Sequence, residues 1–139
     1  MKNPMKQYNN LQDIYDTAVA GLASQGFQPA YNTEYGGPSC AYRGTEGRKC
    51  AIGWCIPDEL YSPAMEHKNI KALLVGSFKD SLQGLFPDSI STDTLLELQK
   101  CHDNYVAASE ATNVVEMMRK HLRIFGLEHN LQIPESLAE

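Results

Sequence analysis

Hydrophobic positions recur at helical spacing near the start of this 139-residue chain. Between residues 11 and 25, apolar side chains lie three or four positions apart: Leu11, Ile14, Tyr15, Ala18, Val19 and Leu22. Asn10 stands before this run as a typical N-cap residue, and Gly26 follows it as a natural helix stop. The pattern predicts a first helix over residues 11–25.

Later stretches show the same periodicity. From Asn69 onward, apolar side chains up to Leu85 share one face, and Gly76 in the middle allows either one helix or two short ones. A cap at Ser91 or Thr92 starts the next stripe, which includes Leu95, Leu98 and His102. The last stripe begins at Val114 and is expected to end at Gly126.

Residues 40–52 depart from this helical pattern. The short arms 40–43 and 48–52 flank Gly44-Thr45-Glu46-Gly47, which is typical of a β-hairpin. A three-residue turn would place Cys40 across from Cys50, and a four-residue turn would place Ala41 there. Pro57 followed by two acidic residues then predicts the start of a further helix.

These elements predict an α+β fold. Four to five helices would form most of the core, with one small hairpin near residues 40–52 packed against them. We expect a single domain over residues 1–139, with loose ends at 1–9 and 128–139.

Composition narrows the function classes. The chain has 17 acidic and 12 basic residues, a net charge of -5 and no basic run, so we do not expect a nucleic-acid partner. No apolar run approaches the roughly 20 residues of a membrane span, and the first residues are polar, so we expect a cytoplasmic protein without a membrane partner. The four cysteines are then expected to be free thiols, and no cofactor motif is present.

A cysteine-dependent enzyme is one interpretation. His102 lies on the inward stripe of its helix, and histidine is the usual acid–base residue. Cys50 follows Arg48 and Lys49, whose positive charges favour a thiolate. The hypothesis makes Cys50 the nucleophile and His102 the base, with Asp103 either behind these two residues or in contact with the substrate. The alternative is that His102 is a buried structural histidine.

Zinc binding is a second interpretation. Cys40, Cys50, Cys55 and either Cys101 or His102 could supply four ligands. The closely spaced cysteine pair of common zinc sites is absent, so we expect no metal. If one were bound, Cys40, Cys50 and His102 would be its ligands.

A binding surface is the third interpretation. Arg43 and Arg48 stand on either side of the turn, where they could recognise a carboxylate or a phosphate. Asp58 and Tyr61 follow closely, and an aromatic side chain can anchor a protein interface.

The stretch CAYRGTEGRKCAIGWCIPDELYSPAME, followed by LLELQKCHDN, resembles a family of small uncharacterised proteins of tailed phages and prophages. The family pattern is Cys-x-Tyr-Arg, Gly-x-x-Cys-Ala-Ile/Val-Gly, Ile-Pro-Asp-x-x-Tyr and Leu-Gln-x-x-His-Asp. The matching residues are Cys40, Tyr42, Arg43, Gly47, Cys50, Ala51, Ile52, Gly53, Ile56, Pro57, Asp58, Tyr61, Leu98, Gln99, His102 and Asp103. The resemblance implies a phage accessory protein in the host cytoplasm, and it favours a cluster of Cys40, Cys50, His102 and Asp103.

The small size, the acidity and the lack of a catalytic motif favour a binding module that docks on a host or phage protein. The binding residues would be Arg43, Arg48, Asp58 and Tyr61. The cysteine-dependent hydrolase or transferase and the zinc-stapled domain are the alternatives.

Overall fold

The structure, a computed structural model, describes residues 8–32, 39–66, 68–82, 84–103 and 114–137, without the side chains at 31, 32, 39, 40, 45 and 103. This part of the chain is mainly helical. Its six α-helices are α1 (Leu11–Ser24), α2 (Ala51–Cys55), α3 (Ile70–Val75), α4 (Lys79–Leu82), α5 (Thr92–Asp103) and α6 (Val114–Glu128). The prediction of an α+β fold with a hairpin is therefore wrong.

Helix α1 confirms the prediction for the first stretch. The side chain of Asn10 caps it by accepting the N–H of Asp13 at 2.9 Å. Gly26, just beyond its end, has a φ of +68°, which glycine adopts without strain. The stripe of Ile14, Tyr15, Ala18, Val19 and Leu22 is buried, because α1 packs against α2 and lies close to α6.

The hairpin predicted near residues 40–52 does not form. Residues Thr45–Gly47 make a 3₁₀ turn, and the second predicted arm is instead α2. Cys40 pairs through its backbone with Tyr31, in a two-residue antiparallel ladder of β1 (Tyr31–Asn32) and β2 (Ser39–Cys40). Five residues are too few for a helical period to show, so a nearly all-buried helix such as α2 has the pattern of a strand.

The helix expected to start at Pro57 is also absent. Residues 57–61 form successive turns, with the N–H of Leu60 bonded to the Pro57 carbonyl at 2.9 Å. The helix in this region precedes Pro57 rather than following it. The periodic stretch after Asn69 consists of two short helices, α3 and α4, which are separated at Gly76.

Helices α5 and α6 lie at the predicted places, but α6 does not end at Gly126. It continues to Glu128, and Gly126 is buried against α1. A Cβ at Gly126 would lie 2.6 Å from the Tyr15 hydroxyl and 2.5 Å from Ile133, so this glycine allows close packing rather than a stop.

The last described residues pack on the core and are not a loose end. After α6, the N–H of Leu131 bonds to the Gly126 carbonyl at 2.8 Å. The N–H of Gln132 bonds to the side chain of Gln12 at 2.8 Å, and Leu137 is fully buried. The expectation of loose residues at 128–139 thus fails for 128–137, whereas residues 1–7, 138 and 139 lie outside the described part.

Candidate functional site

Arg43 is the centre of the most connected polar group in the described chain. Its guanidinium donates to the carbonyls of Gly53 at 2.8 Å and Ile56 at 2.7 Å, and to the Asp58 carboxylate at 2.9 Å. The carbonyls at the end of a helix lack the usual helical partner. Arg43 donates to two carbonyls at the end of α2, of which the Gly53 carbonyl also accepts the Ile56 N–H at 3.3 Å. Its side chain is only 17% exposed. Arg43 therefore fixes the exit of α2.

Glu66 forms hydrogen bonds with residues on both sides of α2 in the chain. Its carboxylate accepts the backbone N–H groups of Tyr42 and Arg43, both at 3.1 Å, and the Tyr61 hydroxyl at 2.6 Å. The Arg43 guanidinium in turn lies 4.7 Å from the centre of the Tyr61 ring. We call Tyr42, Arg43, Asp58, Tyr61 and Glu66 the Arg43 cluster.

Cys50 acts as the N-cap of α2. Its Sγ accepts the N–H of Gly53 at 3.2 Å, and the residue is 1% exposed. Its own N–H donates to the Ala41 carbonyl at 3.2 Å. Gly53 lies so close to the preceding chain that a Cβ would be 2.5 Å from the Tyr42 carbonyl oxygen. The glycine is thus required by packing.

Helix α5 carries two buried polar side chains that bond to earlier parts of the chain. Gln99 donates to the Tyr42 hydroxyl at 3.0 Å and accepts the Ile70 N–H at 2.8 Å. His102, which is fully buried, accepts the N–H of Ala30 at Nε2 over 2.7 Å. A nitrogen that accepts this bond carries no proton, so in the neutral ring the proton is on Nδ1.

Gln25 holds the other side of the segment. Its amide accepts the Lys49 N–H at 2.9 Å and donates to the Lys49 carbonyl at 2.9 Å. The same Oε1 accepts the Trp54 indole N–H at 3.1 Å. Lys49 in turn places its ammonium 4.5 Å from the centre of the Trp54 ring. The Gln25 side chain at the end of α1 thereby holds both backbone groups of Lys49 and the indole of Trp54.

The structure brings together three of the four predicted binding residues. Arg43, Asp58 and Tyr61 belong to the Arg43 cluster. Arg48 instead pairs with Glu46 at 3.3 Å on the surface. Glu66 and Gln25 were missed, because an isolated Glu or Gln carries no pattern that reveals a distant partner. Gln99 could have been found from its place in the Leu-Gln-x-x-His-Asp pattern.

The residues predicted for catalysis and for metal binding do not form a common site among the described side chains. Cys50 and His102 both lie in the interior, each with a structural hydrogen bond, whereas the side chains of Asp103 and Cys40 lie outside the described part. Among the described side chains, no three of His, Cys, Asp and Glu are grouped closely enough to hold a metal ion. Cys55 lies in the core and its thiol contacts the Ile14 carbonyl at 3.6 Å.

Cys101 faces α6. It is 7% exposed, and burial raises the pKa of its thiol to about 12, with the negative charges of Glu97 and Glu128 adding to the effect. A thiol of this kind is protonated at neutral pH and is a poor nucleophile.

Comparison of the chain with protein-family models, with curated proteins and with solved structures gives no match. None of the helices in the described residues has both the length and the apolar character needed to cross a membrane.

Proposed function

We propose that this protein is a small phage-type accessory protein that acts by binding a host or phage protein in the host cytoplasm. The binding surface is the charged strip above the Arg43 cluster, formed by Glu46, Arg48, Lys49 and Asp58. The observation that supports it is the way the strip is held: partly buried hydrogen bonds from Gln25 hold the backbone of Lys49, while the carboxylates of the strip reach the surface.

The exposure of the strip illustrates this arrangement. The carboxylates of Glu46 and Asp58 are 71% and 77% exposed. The Lys49 ammonium nitrogen lies 3.8 Å from an oxygen of the Asp58 carboxylate. The backbone N–H and carbonyl of Lys49 both bond to the Gln25 side chain. A surface that is ordered before binding loses less conformational entropy when a partner docks. Alternating charges in fixed positions also discriminate between partners.

The same geometry argues against the cysteine-dependent mechanism. The ring nitrogen of His102 that could accept a proton already accepts the Ala30 N–H, and Cys50 is buried with its sulfur on the Gly53 N–H. A nucleophile needs an accessible thiolate and a base within reach. If Cys50 were activated, iodoacetamide at neutral pH would modify it in the folded protein much faster than a free thiol. We expect modification of Cys50 to be slower than that of a free thiol.

A matched pair of charge exchanges tests the binding surface. The double variant Glu46→Arg with Arg48→Glu keeps an ion pair at this position but reverses the charges that a partner meets. The control is Lys71→Asp with Asp93→Lys, which reverses an exposed pair of 2.7 Å on α3 and α5. Immobilised wild type and both variants are exposed to a bacterial lysate, and each captured protein is quantified.

The proposal expects at least one protein that the wild type and the control retain equally and the strip variant loses by tenfold or more. Capture of the same proteins by all three forms would contradict the strip as the binding surface. An absence of any stoichiometric partner for the wild type would count against the binding function itself. Circular dichroism of each form confirms that the folds are comparable.

A further inference from the structure

Helices α5 and α6 leave an open groove between them. It has a volume of about 330 Å³ and is lined by Glu97, Lys100, Cys101, His121, Ile124, Phe125 and Glu128. Ile124 is 38% exposed and its neighbour Leu127 is 61% exposed. Within the described residues, Val75 is the one other large hydrophobic side chain with comparable exposure. Two of the three therefore lie on the exposed side of α6, and Ile124 lines the groove.

The charges on α6 are ordered around Ile124. Lys120, Ile124 and Glu128 are all exposed and follow one another at four-residue spacing, which places them on one ridge of the helix. Lys120 and Glu128 thus place a positive and a negative charge about 12 Å apart along the axis, with Ile124 between them. Glu116, one turn before Lys120, is paired with Arg119 at 3.1 Å.

Helix α5 repeats this order beside it. Its Glu97 contacts His129 at 3.2 Å, and the thiol of Cys101 contacts the His121 carbonyl at 3.7 Å, so the two helices run antiparallel. Glu97 therefore lies at the same end as Glu128. Lys100, one turn later on α5, lies nearer the end of Lys120. Both helices are negative at one end of the groove and positive toward the other.

We propose that this face binds a second copy of the same chain around a two-fold axis. The axis lies in the plane of the interface and is perpendicular to the helices. The helices of the two copies therefore point in opposite directions, and each Ile124 lies opposite the Ile124 of the other copy. Lys120 then faces Glu128 of the second copy, and Lys100 faces Glu97 of the second copy. Every charged contact occurs twice, as two-fold symmetry requires.

The order of the charges favours a second copy of the chain as the partner that binds this face. A different protein would need an apolar centre flanked by the opposite charges in the opposite order, and a second copy supplies this arrangement by symmetry. Helices of 12 and 15 residues form a small face, so we expect a reversible dimer with a dissociation constant on the order of micromolar. The interface uses other elements than the charged strip and does not depend on the proposed function.

The test uses two single charge reversals that repair each other. In Lys120→Glu, both inter-chain pairs become acid against acid, and in Glu128→Lys they become base against base. A mixture of the two variants restores opposite charges in the mixed dimer. Sedimentation velocity from about 1 to about 200 µM gives the dissociation constant of each form.

We expect a concentration-dependent dimer for the wild type and at least a tenfold weaker one for each variant alone. The mixture, and a chain carrying both reversals, should return to nearly the wild-type constant. Ile124→Glu should abolish the dimer, and Val75→Glu on α3 should leave it unchanged. A monomeric wild type at all concentrations overturns the proposal, as does a mixture that associates no better than either variant alone.

Discussion

The backbone N–H of Ala30 donates a 2.7 Å hydrogen bond to Nε2 of His102, and both residues are fully buried. This bond joins the segment after α1 to the last turn of α5, across 72 positions of the chain. The histidine occupies a place where the fold needs an acceptor.

The first prediction concerns that acceptor. His102→Leu leaves the Ala30 N–H buried without a partner, which costs about 1–3 kcal/mol in addition to any loss of packing. His102→Gln can place its carbonyl oxygen near the position of Nε2 and should recover about 1 kcal/mol or more of that loss. Urea unfolding gives both values. Equal destabilisation by Leu and Gln would show that the acceptor contributes little.

Arg43 provides the second prediction. Arg43→Met removes the donor to the Gly53 and Ile56 carbonyls and should lower the free energy of unfolding by about 2–4 kcal/mol. Arg43→Lys should recover only part of it, because an ammonium cannot reproduce the planar fork. Asp58→Asn, at a side chain 77% exposed, should cost less than about 1 kcal/mol. A larger loss from Asp58→Asn than from Arg43→Met would contradict this role.

The third prediction concerns Gly53. In Gly53→Ala the new methyl group would lie 2.5 Å from the Tyr42 carbonyl oxygen, so α2 or the preceding chain must shift. We expect a loss of about 3 kcal/mol or more, or no folded protein. Gly47→Ala is the control: at a φ of +74° and with open space around it, this change should cost only about 1–2 kcal/mol. Thermal unfolding followed by circular dichroism compares the two.

Alkaline pH provides the fourth prediction. Burial raises the pKa of Cys101 from 9.0 to about 12. The unfolded chain therefore loses this proton from about pH 9, whereas the folded chain keeps it to about pH 12. The contribution of the thiol to stability is complete below pH 9 and is lost as pH rises through that window.

Cys101→Ser should thus make the decline of stability with pH shallower by up to about 1.4 kcal/mol per pH unit. Urea unfolding of both proteins between pH 8 and pH 11 measures the two slopes, and the change in slope is independent of any packing loss. Parallel curves would show that Cys101 titrates alike in the folded and unfolded states. Burial also raises the pKa of Tyr8 and Tyr15, so a decline should persist in the variant.

The long helices could be predicted because their stripes are amphipathic and their ends carry local signals. Asn10 caps α1 as expected, and α5 and α6 begin where their stripes begin. Gly126 shows where a local signal fails. A glycine near the end of a stripe is commonly a stop, but here the contact with Tyr15 requires it inside the helix. That contact joins α1 to α6 and has no trace in the neighbouring sequence.

The candidate site was predicted in part. Arg43, Arg48, Asp58 and Tyr61 were predicted as binding residues, and Arg43 does contact Asp58 and Tyr61. Their arrangement could not be foreseen, because it depends on Glu66, Gln25 and Gln99. These polar residues have partners 23 to 57 positions away. The helix α2 was missed since its five residues are nearly all buried and show no amphipathic period.

The Gln25 amide has four hydrogen-bonding positions, and their use bears on whether residues 40–66 can fold apart from the rest of the chain. Two of them hold Lys49 as a neighbouring strand would, and Gln99 supplies a contact to Tyr42 from α5. The conformation of residues 40–66 thus depends on contacts with parts of the chain outside this segment. An isolated peptide of these residues should be unstructured, and grafting the segment onto another protein would require α1 and α5 to accompany it.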